Sequence, residues 1–462
     1  IFTREFDGGR HAHENTQSMT WPRSVSTNPN RQIGPIRMAE QTIRVGINGT
    51  GFAANYTAAT YGMIPHRNGV SIELAGVVSG TIENARRFAD QHGVTRVWDT
   101  HQQMLDGVEL TIDNICCANF AHGQYTIEAA QKNVPVIVLE KPPVIWPGYA
   151  EQKTATARTR KYESLAFLDE VLNAVQNSRS KLLYAEDFVY FDGVKGLVEL
   201  LVEARATGKG KVLYLRGTCA HQGSHAPAYD TPALSGGGAL FNKACHPLGP
   251  ALFLKQVEGL LESGRPIRPV KVSGLALQVL KHQPEVSGEF FRVMQNVDDF
   301  ARITVVFEDQ TVAEVHGHDL SISGIRNELS VITDFAQFDL RVNPNNEAEL
   351  FLPDARHAGN LLLREKLPTP QGTSFPRPNQ FNSHGYVNEM SDAVACALIS
   401  DQFPQSGALM AWDTMAVLMA AYESAEQNCS FIDVTEFTTK GRQFNETEMP
   451  TPARFGRVFQ RR

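Results

Sequence analysis

The run Thr42-Ile43-Arg44-Val45-Gly46-Ile47-Asn48-Gly49-Thr50-Gly51-Phe52-Ala53-Ala54 decides how this chain is read. Ile43–Ile47 is mostly apolar and β-branched, as a buried strand requires, and a helix-like segment follows the glycines. The spacing is G-x-G-x-x-A, the fingerprint of a dinucleotide-binding turn. Gly49 permits the tight turn, Gly51 leaves the backbone open to a pyrophosphate, and Ala54 lets the helix pack close on its strand. Phosphates placed there meet free N–H groups and the positive end of the helix dipole.

Working outward, further strands are expected over 71–78, 95–98, 110–117 and 134–139. Helices at about 52–61, 82–92, 101–105 and 121–132 separate them. Continuous apolar strands alternating with helices predict a parallel sheet covered on both faces, with ligands at the carboxyl ends of its strands. Residues 147–183 read as mostly polar and helical. Beyond Leu183 helices become sparse, and strands are expected over 212–219, 270–280, 300–307, 311–316 and 329–340. A Pro/Asn-rich loop over 368–382 precedes two helices, 386–399 and 412–427. The fold class is therefore α/β: an N-terminal Rossmann domain with a parallel sheet, then a C-terminal α+β domain on an open, mostly antiparallel sheet. The divisions are 1–37, an extension or arm; 38–185, dinucleotide-binding; 186–435, substrate-binding and oligomerisation; and 436–462, a tail.

Composition narrows the function classes. With 462 residues the chain can form two domains. A net charge of −7 gives no basic field for nucleic acid. No apolar run reaches the roughly 18 residues of a membrane helix. Residues 1–37 lack the apolar segment of a secretory leader, and six cysteines in so long a chain make no disulfide framework. A cytoplasmic location is the expectation.

The strand ends carry the candidate chemistry. Val77-Val78-Ser79-Gly80 ends the second strand without a carboxylate, so Ser79 serves a ribose hydroxyl or a 2′-phosphate equally well, and NAD is taken with NADP possible. Asn119-Phe120-Ala121-His122 follows the fourth strand and Glu140-Lys141-Pro142-Pro143 the fifth. An acid–base pair at a buried strand tip is costly unless paired or facing a ligand, and Pro142 keeps Lys141 extended. Later, Gly236-Gly237-Gly238 leads into a helix-like run from Asn242 to Lys255, on which Asn242 and His246 share a face. Histidine suits proton transfer near neutral pH. A zinc site from His221, His225 and His246 can be drawn, but no ligand-spacing signature supports it, and no metal is assigned.

Gly49-Thr50-Gly51-Phe52, Asn119…His122, Glu140-Lys141-Pro142, the Gly236–His246 run and Ala420-Ala421-Tyr422-Glu423-Ser424-Ala425 occur in that order. On these marks the chain from about Ile43 to Glu426 resembles the Gfo/Idh/MocA family (glucose–fructose oxidoreductase and inositol dehydrogenase). The resemblance implies NAD(P) on the first domain and a sugar-like polyol against the second domain's sheet. It also implies Lys141 beside the nicotinamide, His246 as acid/base, and a homodimer or homotetramer formed through the open sheet. Cofactor contacts are then expected from Gly49, Thr50, Gly51, Phe52, Ser79, Asn119, Phe120, His122, Glu140 and Lys141. Lys141, His246 and Asn242 form the catalytic group, and Glu186, His221, His225, Tyr229 and Lys243 contact substrate. Two positions depart from the family pattern: Asn242 stands where an Asp is usual four residues before the His, and Ala244 replaces a Gly. The activity implied is hydride transfer between the nicotinamide and a secondary hydroxyl of a sugar, polyol or glycoside. The alternatives are a redox-assisted glycosidase or lyase that recycles its NAD, and a non-catalytic NAD(P)-binding protein.

Overall fold

The computed structural model describes residues 41–64, 70–224, 226–322, 324–343, 347–351, 373–376, 383–445 and 448–449. The arm expected over 1–37, most of the loop over 368–382 and His225 lie outside these residues. Six strands form the first sheet: β1 (Gln41–Asn48), β2 (Val70–Val78), β3 (Val97–Trp98), β4 (Ile112–Ile115), β5 (Val136–Glu140) and β6 (Lys181–Ala185). All neighbours are parallel, in the order β3-β2-β1-β4-β5-β6. Ile43, Val45, Ile47, Ile112, Val136, Ile137 and Leu139 have no exposed surface, because helices cover both faces. The chain leaves β1 toward β3 and returns to β4, which opens a crevice at the carboxyl ends of β1 and β4.

Sequence reading missed β6, placing its first residues in a helical stretch. The helix Ala157–Gln176 ends, and Leu182-Leu183-Tyr184-Ala185 then completes the sheet. Four buried apolar residues, separated from the end of a helix by five others, carry no period that separates strand from helix.

The second sheet has nine strands: β7 (Val212–Ala220), β8 (Pro269–Leu277), β9 (Phe300–Phe307), β10 (Val312–His318), β11 (Arg326–Thr333), β12 (Gln337–Asn343), β13 (Glu347–Phe351), β14 (Thr373–Pro376) and β15 (Ile432–Asp433). Only the β7–β10 pair is parallel among them. Ile303, Val305, Ala313, Val315, Leu329 and Val331 point inward, while Arg302, Thr304, Glu314, His316, Glu328 and Ser330 face out and stay partly or fully exposed. This period of two marks a sheet covered on one face. The strand expected over 329–340 belongs to a hairpin. Thr333 N donates to Ala336 O over 2.8 Å, turning the chain without Gly or Pro to announce it.

The helix Cys245–Ser263 covers β7 and β10 from within, and Ala408–Glu426 runs between β8 and Ala157–Gln176. A Cβ at Gly274 of β8 would stand 2.4 Å from Ala421 O, so this helix lies directly against the strand's backbone. Lys161 and Glu423, 3% and 6% exposed, pair at 2.6 Å across the same helix contact. The stretch expected as a tail is folded at its start. Thr435–Thr438 is helical, and Arg442 lies buried against Asp169, 2.8 Å away.

Candidate active site

The glycine turn fits a pyrophosphate. Gly49 has φ +117°, and a Cβ there would stand 2.5 Å from Cys116 O. Its N–H donates to Val78 O over 2.8 Å, tying the turn to the end of β2. Gly51 faces open space. It caps the helix Phe52–Met63 with no side chain, and no acid stands in that helix's first turn. The first N–H groups of the helix are therefore left for an anion. Thr50 Oγ1 and Ser79 Oγ lie 2.9 Å apart on the adjoining wall.

From this turn a cleft of about 580 Å³ runs to the inner end of the second sheet. Its wall includes Gly49, Thr50, Gly51, Phe52, Ser79, Asn119, Glu140 and Lys141 from the first layer, and His221, Tyr229, Asn242, Lys243 and His246 from the second. Residues 141 and 246, more than a hundred positions apart, open onto one space.

Lys141 leaves the tip of β5 through a cis peptide to Pro142. Its ammonium makes no hydrogen bond or ion pair with any described residue. Burial works against its charge, but the acidic groups of Tyr229, Cys245, Glu140 and Glu186 outweigh that and hold it above the ordinary lysine range. Glu140 is raised as well, here because burial dominates: its carboxyl goes up to about 7 against the pull of Lys141.

His246 follows a different logic. Its Nδ1 donates to Glu186 Oε1 over 2.8 Å, with Asp187 Oδ1 at 3.4 Å, and Phe188 stacks on the ring at 5.0 Å. Burial opposes a charged imidazole, yet Glu186 more than compensates and raises it to about 9. A carboxylate on Nδ1 fixes the proton there and leaves Nε2 for the cleft. Glu186 was expected to touch substrate. Instead it is 1% exposed and stands behind the imidazole. Gly249 makes the room, since a Cβ at that position would lie 2.4 Å from Glu186 Cγ.

The helix expected from Asn242 to Lys255 is broken. A short turn, Ala239–Asn242, is followed by a kink at Lys243-Ala244, and the helix proper begins at Cys245. β10 presses on the kink: a Cβ at Gly317 would stand 2.3 Å from Ala244 N. Asn242 Nδ2 donates to Gly237 O at 2.7 Å and Gly238 O at 3.1 Å, while its Oδ1 is buried without a donor. Lys243 is 5% exposed, with Asp319 Oδ1 at 3.7 Å and the Tyr229 ring centroid at 5.3 Å. Asp298, which sequence reading passed over, anchors the glycine run. Its carboxylate accepts from Gly238 N at 3.2 Å, Leu240 N at 2.7 Å and Tyr422 Oη at 2.8 Å.

Other expected contacts divide. Asn119 lines the cleft and donates to Ser235 O over 2.8 Å, joining the two layers. Phe120 is 55% exposed and outside the lining. His122 is fully buried between Pro142 O at 2.8 Å and Cys117 O at 3.2 Å, and burial lowers it to about 4. It braces two loops and does not reach the cleft. Among the described residues, the ligand atoms that converge within 4.8 Å are those of Glu186, Cys245 and His246, not a histidine trio. No helix among the described residues is long and apolar enough to cross a membrane.

Residues 43–166 match the sequence profile described as oxidoreductase family (Gfo/Idh/MocA), NAD-binding Rossmann fold. The chain is similar to the solved structure of levoglucosan dehydrogenase in complex with NADH and levoglucosan, with 15% identity, 85% of this chain and 100% of that one covered, and a TM-score of 0.64. It is similar to aldose-aldose oxidoreductase from Caulobacter crescentus complexed with glycerol, with 16% identity, 85% and 100% coverage, and a TM-score of 0.62. It also resembles GenD2 from gentamicin A biosynthesis in complex with NAD, with 17% identity, 85% and 96% coverage, and a TM-score of 0.61. A comparison with curated proteins gives no match.

Proposed function

We propose that this chain, an NAD-dependent oxidoreductase of the Gfo/Idh/MocA family, transfers hydride between the nicotinamide and a secondary hydroxyl of a sugar, polyol or glycoside. The observation that carries the reading is that Lys141 and His246 line the same cleft as the glycine turn. The similar structures were solved with levoglucosan and with glycerol, which is consistent with a hydroxyl-bearing substrate.

NAD supplies the hydride acceptor when bound. The balance is R₂CHOH + NAD⁺ giving R₂C=O + NADH + H⁺. His246 Nε2 takes the hydroxyl proton, with Glu186 holding the resulting imidazolium through Nδ1. Lys141 donates to the same oxygen and stabilises the negative charge that develops as the C–H bond breaks. Asn242 Oδ1 accepts from a neighbouring hydroxyl and fixes the ring's orientation. The nucleotide part spans 38–185 and the substrate part 186–435. The polar outer face of the nine-stranded sheet is where a homodimer or homotetramer packs.

The test is isotopic. The protein and NAD⁺ are incubated with sugars, polyols and glycosides deuterated at each carbinol carbon, and the reduced cofactor is weighed by mass spectrometry. Deuterium in the cofactor from one position supports the reading. Aglycone release with no net reduced cofactor moves the function to redox-assisted glycoside cleavage. No transfer from any compound while NAD binds tightly leaves a nucleotide-binding protein.

A further inference from the structure

Lys243 is a buried ammonium whose donors are not used. It is 5% exposed, and among the described residues it makes no hydrogen bond. Its one ion-pair partner, Asp319, stands 3.7 Å away, beyond hydrogen-bond distance, and is itself 2% exposed behind the wall. The Tyr229 ring supports the ammonium from one side at 5.3 Å. Three N–H groups at a cleft wall without acceptors are costly unless a ligand supplies one.

The charge of the wall indicates which acceptor. Lys141 and Lys243 both line it, and burial raises the carboxyl of Glu140, the acid that lines it near them, which weakens its negative charge. Glu186 and Asp187 stand behind His246 and are spent on its Nδ1. Asn242 adds no charge. At the substrate end the cleft lining itself therefore holds two ammonium groups, Lys141 and Lys243, against one carboxyl, Glu140, while Asp319 stands 3.7 Å from Lys243 outside that lining.

We propose that the substrate carries a carboxylate, and that Lys243 binds it while Lys141 and His246 act on a hydroxyl elsewhere on the same molecule. The chemical class is a sugar acid: an aldonate, a uronate or a related hydroxy acid. A single ammonium beside a phenol suits a monoanion. A phosphate ester would call for a guanidinium fork or a second cluster of N–H groups, and the free N–H groups at the start of the helix Phe52–Met63 lie at the nucleotide end. This inference rests on the proposed hydride transfer for its site, but it concerns recognition and is read by binding.

Titration calorimetry on the full chain saturated with NADH compares matched pairs: gluconate with glucitol, glucuronate with glucose, and glucose 6-phosphate as the phosphate arm. In the unaltered protein the acid binds about tenfold or more tighter than its neutral partner, as loss of a charge-assisted bond implies. Lys243→Met removes most of that gap, weakening the acid at least about fivefold more than its neutral partner, whereas Lys243→Arg keeps most of it. NADH affinity, measured in parallel, reports that each variant is folded. Neutral and acidic compounds binding equally to the unaltered protein overturn the proposal. So does tighter binding of glucose 6-phosphate than of either acid, or a Lys243→Met variant that binds NADH normally yet weakens both members of a pair alike. A clear acid preference without hydride transfer sustains the carboxylate site while refuting the dehydrogenase reading.

Discussion

His246 Nδ1 and Glu186 Oε1 stand 2.8 Å apart, the histidine at the head of a helix and the glutamate just past the end of β6. The pair gives His246 a carboxylate partner, which the neutral Asn242 does not. It places the carboxylate on the far side of the imidazole, where it governs the proton on Nδ1 without entering the cleft.

A pH dependence follows. Oxidation needs neutral His246, and Glu186 raises its titration to about 9. The rate of alcohol oxidation therefore climbs with pH and levels off above about 9, while carbonyl reduction, which needs the imidazolium, falls over the same range. Glu186→Gln removes the charge that counters burial. The inflection in the pH–rate profile then drops by about 1–2 units. An inflection that stays in place in this variant removes Glu186 from the proton chemistry.

Lys141→Ala takes away the donor at the reacting oxygen. Turnover should fall about 10²–10³-fold, with NAD affinity little changed, because the phosphates are held at the glycine turn. Stopped-flow measurement of hydride transfer separates the two effects. Equal losses in turnover and in NAD affinity would place Lys141 in cofactor binding instead.

The two glycines of the turn should respond differently. Gly49→Ala forces a Cβ against Cys116 O at φ +117° and costs about 1–3 kcal/mol of stability. Gly51→Asp meets open space and supplies a good N-cap, so the melting temperature of the cofactor-free protein does not fall. Its carboxylate occupies the phosphate position, and NAD affinity drops at least about tenfold. Undiminished NAD binding by Gly51→Asp would place the pyrophosphate elsewhere.

Much of this was legible in the sequence, and the exceptions share a cause. The glycine turn, the continuous apolar strands and the strand-tip residues Lys141 and Asn119 are local features, and local pattern found them. β6 hid because its four buried residues are too short a run to show a period of their own so soon after a helix. The helix expected from Asn242 breaks because a strand from far along the chain presses on Ala244. His122 and Glu186 were expected at the ligand and were found behind the wall. A residue type suggests chemistry, but only tertiary packing decides which face of a loop meets the cleft. The acids Glu186-Asp187, directly after an apolar segment, were the signal available for the His246 partner.

Asp298 gives a prediction that sequence could not. Its carboxylate holds Gly238 N, Leu240 N and Tyr422 Oη, and so sets the glycine run whose carbonyls grip Asn242. Asp298→Ala strands these donors at about 1–3 kcal/mol each. Chemical denaturation should show the loss. Substrate KM should rise more than NAD affinity falls, since the glycine turn is untouched. Tyr422→Phe removes one donor and should produce a smaller change in the same direction.

The most direct measurement of the central claim is a structure of the protein with NADH and a bound carbinol substrate. One substrate oxygen should lie within about 3.2 Å of both Lys141 Nζ and His246 Nε2, with the carbon that bears it facing the nicotinamide. A substrate oxygen that touches neither group, or a nicotinamide ring outside the cleft they share, would contradict the account.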